Sequence, residues 1–118
     1  PGMKYRHYAP KAPVTVVTGD SRRTARYIRR NLGEHTGVIA FSEYTGDFPG
    51  CIVHDIGSVR DKGEQARRVF DALRAFDDTD VTAIFAQCPN DEGLGLAIAN
   101  RLKKAAGFQV VDLGEGEV

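Results

Sequence analysis

Short β-branched or apolar runs alternate with amphipathic segments along most of this chain, and this alternation constrains the fold more than any other feature. The first run, Val14–Thr18, contains only valine and threonine and is followed by Gly19. β-branched side chains favour strands, and glycine favours the turn that ends one. Strands that are apolar at successive positions are buried on both faces, as in parallel sheets connected by helices. The pattern therefore predicts an α/β fold.

Four further strands are predicted where apolar residues cluster without helical spacing. They lie within residues 38–41, 51–57, 81–86 and 108–113. Between the strands, apolar residues recur at the helical period of about 3.6. This period predicts helices from about Ser21 to Gly33, from Asp61 to Phe76 and from Leu94 to Ala106, with Asp20 or Ser21 capping the first, whereas residues 43–50 are expected to form a loop. The predicted architecture is a three-layer α/β/α sandwich, Rossmann-like, with a mainly parallel sheet of about five strands.

The first thirteen residues, PGMKYRHYAPKAP, have a different character. Prolines favour extended backbone and remove hydrogen-bond donors, so this segment is predicted to be an interdomain linker over 1–13, with the α/β domain over 14–118. Its basic and aromatic side chains suit a nucleotide or another polyanion, because guanidinium and ammonium groups bind phosphate. Exposed basic termini are also common without any such role. The residues in question are Lys4, Tyr5, Arg6, His7, Tyr8 and Lys11.

Charge and cysteine content exclude several classes of protein. Sixteen basic and sixteen acidic residues give a formal net charge of zero, which argues against an independent nucleic-acid binder. Cys51 and Cys88 form no CxxC pair, which favours reduced thiols and a cytoplasmic location. No apolar run approaches the ~20 residues that cross a bilayer, so no membrane partner is expected.

Polar residues at the predicted carboxyl ends of the strands form a candidate rim pocket. Its members are Asp20, Ser21, Glu43 and Glu92. The first turn, TGDSRR, lacks both GxGxxG and GxxxxGK[ST], so a nucleotide site inside the domain is not favoured, and capping explains these residues more simply. The histidines and cysteines show no metal-site spacing, and no nucleophile lies beside a base. No catalytic residue, metal site or cofactor is therefore predicted in this domain.

Five arginines lie on the outer positions of the first predicted helix. They are Arg22, Arg23, Arg26, Arg29 and Arg30. They could meet a partner, but the neutral chain and the acids nearby favour an ordinary solvated face, so direct tRNA binding is not expected.

Three segments resemble a known family. PGMKYRHYAP resembles the linker of two-domain L-threonylcarbamoyladenylate synthases, and residues 66–87 (ARRVFDALRAFDDTDVTAIFAQ) and 91–106 (DEGLGLAIANRLKKAA) are similar to the C-terminal α/β domain of those enzymes. The resemblance covers essentially the whole chain. It implies that a YrdC-like catalytic domain, absent here, precedes the linker in cis.

The resemblance also implies a function. The family condenses threonine, bicarbonate and ATP into threonylcarbamoyl-AMP and pyrophosphate for tRNA modification, with ATP and Mg bound by the catalytic domain. Residues matching Lys4, Tyr5, Arg6, His7 and Tyr8 would border ATP or threonylcarbamoyl-AMP. The chain would then be an accessory, gating domain that is inactive alone. The alternative is a regulatory module that binds its own ligand, tRNA or a protein, and an independent hydrolase or transferase is disfavoured for want of a nucleophile and base.

Overall fold

The computed structural model describes residues 10–88, 94–107 and 109–113. Its strands are β1 (Val14–Thr18), β2 (Thr36–Ala40), β3 (Ile52–Asp55), β4 (Ala83–Cys88) and β5 (Val110–Asp112). Its α-helices are α1 (Ser21–Arg30), α2 (Lys62–Ala75) and α3 (Leu94–Ala105), and 3₁₀ segments cover Ser42–Asp47 and Phe76–Asp78. Within these residues, every helix is too short or too polar to cross a bilayer.

All five strands join one parallel sheet in the order β3-β2-β4-β1-β5. The predicted α/β fold with a parallel sheet of about five strands is confirmed. Helix α1 carries the chain from β1 past β4 to β2, whereas α3 carries it from β4 past β1 to β5. The two connections leave the sheet in opposite directions, so the strand order reverses between β1 and β4.

Neighbouring residues on a central strand point to different cores, which is why these strands read as unbroken apolar runs. Val16 and Ile39 belong to the core beneath α2 and α3, while Val17 and Val38 belong to the core beneath α1. All four side chains are fully buried. Both faces of the sheet are therefore covered, as the sequence predicted.

The segment after β2 differs from its prediction. Residues 43–50 were expected to form a loop, but Ser42–Asp47 forms a 3₁₀ segment. Phe48 at its end is buried in the core beneath α1, and Tyr44 packs against both cores. Tertiary packing of these two rings orders a segment that has little intrinsic preference for regular structure.

Helix α1 begins and ends by side-chain capping. The Asp20 carboxylate accepts a hydrogen bond from the backbone N–H of Arg23 at 3.1 Å, as predicted. The helix ends at Arg30, before the predicted stop at Gly33, because Asn31 caps it. The Asn31 side chain donates to the carbonyl of Tyr27 at 2.8 Å.

A close approach occurs between β2 and the end of α2. A Cβ atom on Gly37 would lie 2.4 Å from Cε1 of Phe76. The Phe76 ring is itself fixed in the core, with only 2% of the residue exposed. The position therefore accepts only glycine without a shift of the ring or the strand.

We expect Gly37→Ala to lower the free energy of unfolding by about 1–3 kcal/mol, the usual effect of overpacking a core. Urea titration followed by circular dichroism measures this change. Gly46→Ala is the matched control, because nothing lies within 4 Å of a Cβ at Gly46. Equal unfolding midpoints for the two variants would contradict the packing argument.

Candidate functional site

The carboxyl ends of β1 and β4 are where an open parallel sheet most often binds ligands, because the strand order reverses there. Asp20 and Ser21 follow β1, and Glu43 lies in the 3₁₀ segment after β2. These three predicted rim residues lie at the same edge of the sheet. The fourth, Glu92, lies outside the described residues.

Asp20 and Ser21 are engaged in the fold. Asp20 caps α1, as described above. The hydroxyls of Ser21 and Tyr44 share a hydrogen bond at 3.0 Å, which ties the start of α1 to the 3₁₀ segment.

Glu43 fastens the 3₁₀ segment to the loop between β3 and α2. Its carboxylate accepts hydrogen bonds from the Ser58 hydroxyl at 2.5 Å and from the backbone N–H of Val59 at 2.9 Å. Hydrogen bonding by Ser58, and then by Val59, lowers the pKa of Glu43 below its ordinary value. The carboxylate is thus held ionised in a structural role and is poorly suited to act as a general base near neutral pH.

A second carboxylate links the same two segments. We call each of these links, through Glu43 and through Asp55, a brace. Asp55 accepts hydrogen bonds from the Ser42 hydroxyl at 2.6 Å and from the backbone N–H of Gly57 at 2.7 Å. Partial burial raises the pKa of Asp55, but these two hydrogen bonds and the Arg68 guanidinium outweigh it, so the pKa is lowered. The loops after β2 and β3 are therefore joined by two ionised side chains.

Gln87 is the residue at this edge whose role the sequence did not reveal. Its side chain is fully buried at the end of β4. The amide nitrogen donates to the Ser21 carbonyl and to the Thr24 hydroxyl, both at 3.0 Å, and the amide oxygen accepts from the backbone N–H of Phe41 at 2.9 Å. One amide thus connects β4, α1 and the end of β2. The signal in the sequence was a single polar residue inside the apolar run of β4.

The described residues offer no acid–base or metal chemistry at this edge. His35 lies 3.3 Å from Asp80 at the opposite end of β2, and the ring of His54 on β3 contacts the Phe76 ring edge-on at 4.5 Å. Among residues 10–88, 94–107 and 109–113, no three potential metal ligands cluster together. The rim residues whose surroundings are described serve as braces and caps.

Neither cysteine is an activated nucleophile. Burial raises the pKa of the Cys88 thiol to about 12, with Lys103 acting weakly in the other direction. Burial also raises the pKa of Cys51. A thiolate is the reactive form, so neither thiol is activated. Both cysteines were expected to be small buried residues; Cys88 is buried, whereas Cys51 is only half-buried at the margin of the core beneath α1.

The predicted linker site, Lys4, Tyr5, Arg6, His7 and Tyr8, lies outside the described residues. Residues 10–13, through which this segment joins the domain, are among the described residues. The backbone N–H of Lys11 donates to Asp77 at 3.2 Å, and the Pro13 carbonyl accepts from the N–H of Ile84 at 2.9 Å. Residues 11–13 are therefore fixed to the domain at the amino end of β1, opposite the rim.

Comparison with known proteins gives consistent matches. The family model described as threonylcarbamoyl-AMP synthase, C-terminal domain, matches residues 1–107. Threonylcarbamoyl-AMP synthase of Pyrococcus abyssi is 40% identical over 120 residues, and that of Bacillus subtilis is 40% identical over 113 residues. Each match covers 94% of this chain and 33% of the relative.

The fold matches as well. The crystal structure of P. abyssi Sua5 complexed with L-threonine aligns with a TM-score of 0.79 at 38% identity, covering 97% of this chain and 34% of that one. The chain thus spans about a third of the length of the relatives that it matches.

We expect Gln87→Met to lower the free energy of unfolding by about 1–3 kcal/mol, because it leaves the buried N–H of Phe41 without an acceptor. Chemical denaturation measures the loss. Gln109→Met makes the same chemical change at an exposed position and should have little effect. A loss of similar size in both variants would show that the amide network is not its cause.

The Glu43 brace should make the fold sensitive to acid. Because the pKa of Glu43 is lowered in the folded state, its contribution to stability is present above the unfolded pKa of about 4.3 and is lost as pH falls through the folded value. Unfolding midpoints measured from pH 7 to pH 3 should therefore converge for wild type and Glu43→Gln at the acid end. Glu34→Gln, at an exposed position, serves as the control. A constant gap between wild type and Glu43→Gln would rule the brace out.

Proposed function

Because this chain belongs to the family of threonylcarbamoyl-AMP synthase C-terminal domains, we propose that it is the accessory, gating part of such an enzyme and does not catalyse the reaction alone. The proposal rests on the hydrogen bonding of the polar side chains at the carboxyl end of the sheet. Asp20, Glu43 and Gln87, which a catalytic site there would use, are all committed to hydrogen bonds within the fold.

The reaction would belong to a catalytic domain in cis. We propose a YrdC-like domain that precedes the linker, binds ATP with Mg, and joins threonine and bicarbonate to give threonylcarbamoyl-AMP and pyrophosphate. The product would serve tRNA modification. Two observations support this assignment: the relatives extend well beyond the region matched here, and the P. abyssi protein was crystallised with L-threonine.

The linker would act as a lid over that catalytic site. Lys4 and Arg6 would neutralise phosphate or carboxylate charge, while Tyr5, His7 and Tyr8 would border the nucleotide and help to exclude water. A lid of this kind needs a fixed hinge. The hydrogen bonds of Lys11 and Pro13 to the sheet and to the end of α2 support such a hinge at the domain boundary.

The experiment is a chimera in which this chain replaces the matching C-terminal third of the B. subtilis relative. Pyrophosphate release with threonine, bicarbonate and ATP measures activity. We expect Lys4→Ala/Arg6→Ala to reduce activity strongly, because the charge on the lid is removed. We expect Arg60→Ala/Lys104→Ala, which removes the same charge from exposed positions of the α/β domain, to leave activity nearly unchanged.

Three results would contradict the gating role: full activity in the linker variant, equal losses in both variants, or pyrophosphate release by this chain without a catalytic domain. Binding of ATP to this chain alone that survives Arg6→Ala/Tyr8→Ala would instead place a nucleotide site in the α/β domain. Isothermal titration measures that binding.

A binding module for tRNA or a protein of the same pathway is the alternative function. One observation favours it, namely the charge on helix α1.

A further inference from the structure

Helix α1 presents an arginine face to solvent. Its sequence, SRRTARYIRR, contains five arginines and no acidic residue. Thr24, Ala25 and Ile28 form its buried side. Four of the arginines are exposed and Arg23 is half-buried. We call the set Arg22, Arg23, Arg26, Arg29 and Arg30 the arginine face.

The arginine face is not neutralised by the part of the domain that the structure describes. On α2, by contrast, every arginine is paired: Arg67 and Arg68 with Glu64, and Arg74 with Asp71. None of the ion pairs found among the described residues involves an arginine of α1. Two acids adjoin the helix: Asp20, which is engaged as the helix cap, and Asp47, which borders one side of the face.

This arrangement opposes the stability of the helix. Arg26 lies three or four residues from each of the other four arginines, and like charges at those spacings repel one another. Arg22 and Arg23 also lie in the first turn, where the helix dipole disfavours cations. Arg29 and Arg30 in the last turn are favoured by the dipole, and Arg23 makes one hydrogen bond within the domain, but neither interaction relieves the repulsion around Arg26. A local conflict of this kind is typical of a functional surface.

Two open grooves flank the helix, and Arg26 contributes to both. One, of about 160 Å³, is lined by Arg23, Arg26, Tyr27, Arg30 and Leu113. The other, of about 200 Å³, is lined by Arg22, Ala25, Arg26, Arg29, Tyr44 and Asp47. Both are smaller than the ~300–1,000 Å³ of typical small-molecule pockets. They suit a charged chain that runs across the surface better than an enclosed ligand.

A hydrogen bond holds the Arg23 side chain in place. Its Nη2 donates to the Leu113 carbonyl at 3.0 Å, which orients the guanidinium in the first groove. Its Nη1 is buried and has no hydrogen-bond partner within residues 10–88, 94–107 and 109–113. The hydrogen bond to Leu113 therefore fixes the position of one guanidinium of the arginine face.

We propose that the arginine face binds the phosphate backbone of RNA. Guanidinium groups match phosphate oxygens in pairs. The ten residues of α1 extend about 15 Å, which spans about four charges of one strand at the duplex spacing of about 3.4 Å. The choice of RNA over DNA rests on the proposed function in tRNA modification.

A protein partner fits this surface less well. Protein interfaces centre on buried apolar or aromatic anchors. The exposed large apolar residues of the described chain, Ile52, Leu96 and Val110, line neither groove. The sequence alone favoured a solvated face because the net charge is zero and acids lie nearby. That total does not show that, among the described residues, the arginines of α2 form ion pairs whereas those of α1 do not.

The test is a fluorescence anisotropy titration of an unmodified tRNA transcript with the 118-residue chain at salt concentrations from about 50 to 200 mM. We expect affinity to fall steeply with salt. Arg26→Gln should weaken binding several-fold and reduce the salt slope by about one. Arg26→Lys should restore most of the slope because the charge is restored. The matched control, Arg74→Gln, makes the same charge change on α2.

Thermal unfolding of the same variants separates binding from folding. Because Arg26 is the centre of the repulsive set, Arg26→Gln should unfold at the same temperature as wild type or higher while it binds RNA less tightly. If the arginine face were only solvated, Arg26→Gln would not combine unchanged or higher thermal stability with weaker RNA binding. Salt-independent binding, no binding, or equal weakening by Arg26→Gln and Arg74→Gln would overturn the proposal.

Two further arms isolate the inference. A labelled polyglutamate peptide that binds as tightly as tRNA and responds equally to Arg26→Gln would overturn RNA in favour of an acidic protein. Pyrophosphate release by the chimera needs no tRNA, so Arg26→Gln should leave it unchanged. If the linker variant loses activity but the chain binds no RNA, this inference is wrong and the proposed function stands. If the chain binds RNA as expected but the linker variant keeps full activity, the proposed function is wrong and RNA binding stands.

Discussion

Parallel strands must be covered on both faces, and the rest of this structure depends on how that requirement is met. In the part of the chain that the structure describes, α2 and α3 cover one face of the sheet, whereas the ten-residue helix α1 and the adjacent 3₁₀ segment cover the other. Ile28, Val17 and Val38 meet in that thinner layer. Helix α1 therefore has to remain packed on the sheet to keep water away from the central strands, although its exposed side carries five like charges.

The amide of Gln87 helps to hold α1 on the sheet despite this repulsion. It binds the first turn of α1 through the Ser21 carbonyl and the Thr24 hydroxyl, and it binds the end of β2 through Phe41. The tie lies in a buried, low-dielectric environment where hydrogen bonds are strong. Repulsion on the exposed side of α1 is weakened by water and salt. A domain built in this way tolerates an unneutralised surface without loss of its core.

Sequence patterns predicted the strands, the helices and the Asp20 cap, because these depend on local periodicity and on side chains close in the chain. The family matches confirm the resemblance that the motifs indicated. The 3₁₀ segment and the role of Gln87 were not predictable, since Tyr44, Phe48 and Gln87 owe their environment to elements brought together by the strand order. The same holds for the arginines of α1, which form no ion pair with the described acids because of where the other elements place those acids. The linker site stays a prediction that rests on resemblance.

The position of β1 has a mechanical consequence. β1 is an interior strand, hydrogen-bonded to β4 on one side and β5 on the other, and the N-terminal segment runs directly into it through Pro13. Tension along that segment would pull β1 parallel to its own axis. Both ladders would then be loaded in shear and would have to fail together, whereas an edge strand peels away one bond at a time. The domain thus offers whatever is tethered to it an anchorage that resists pulling.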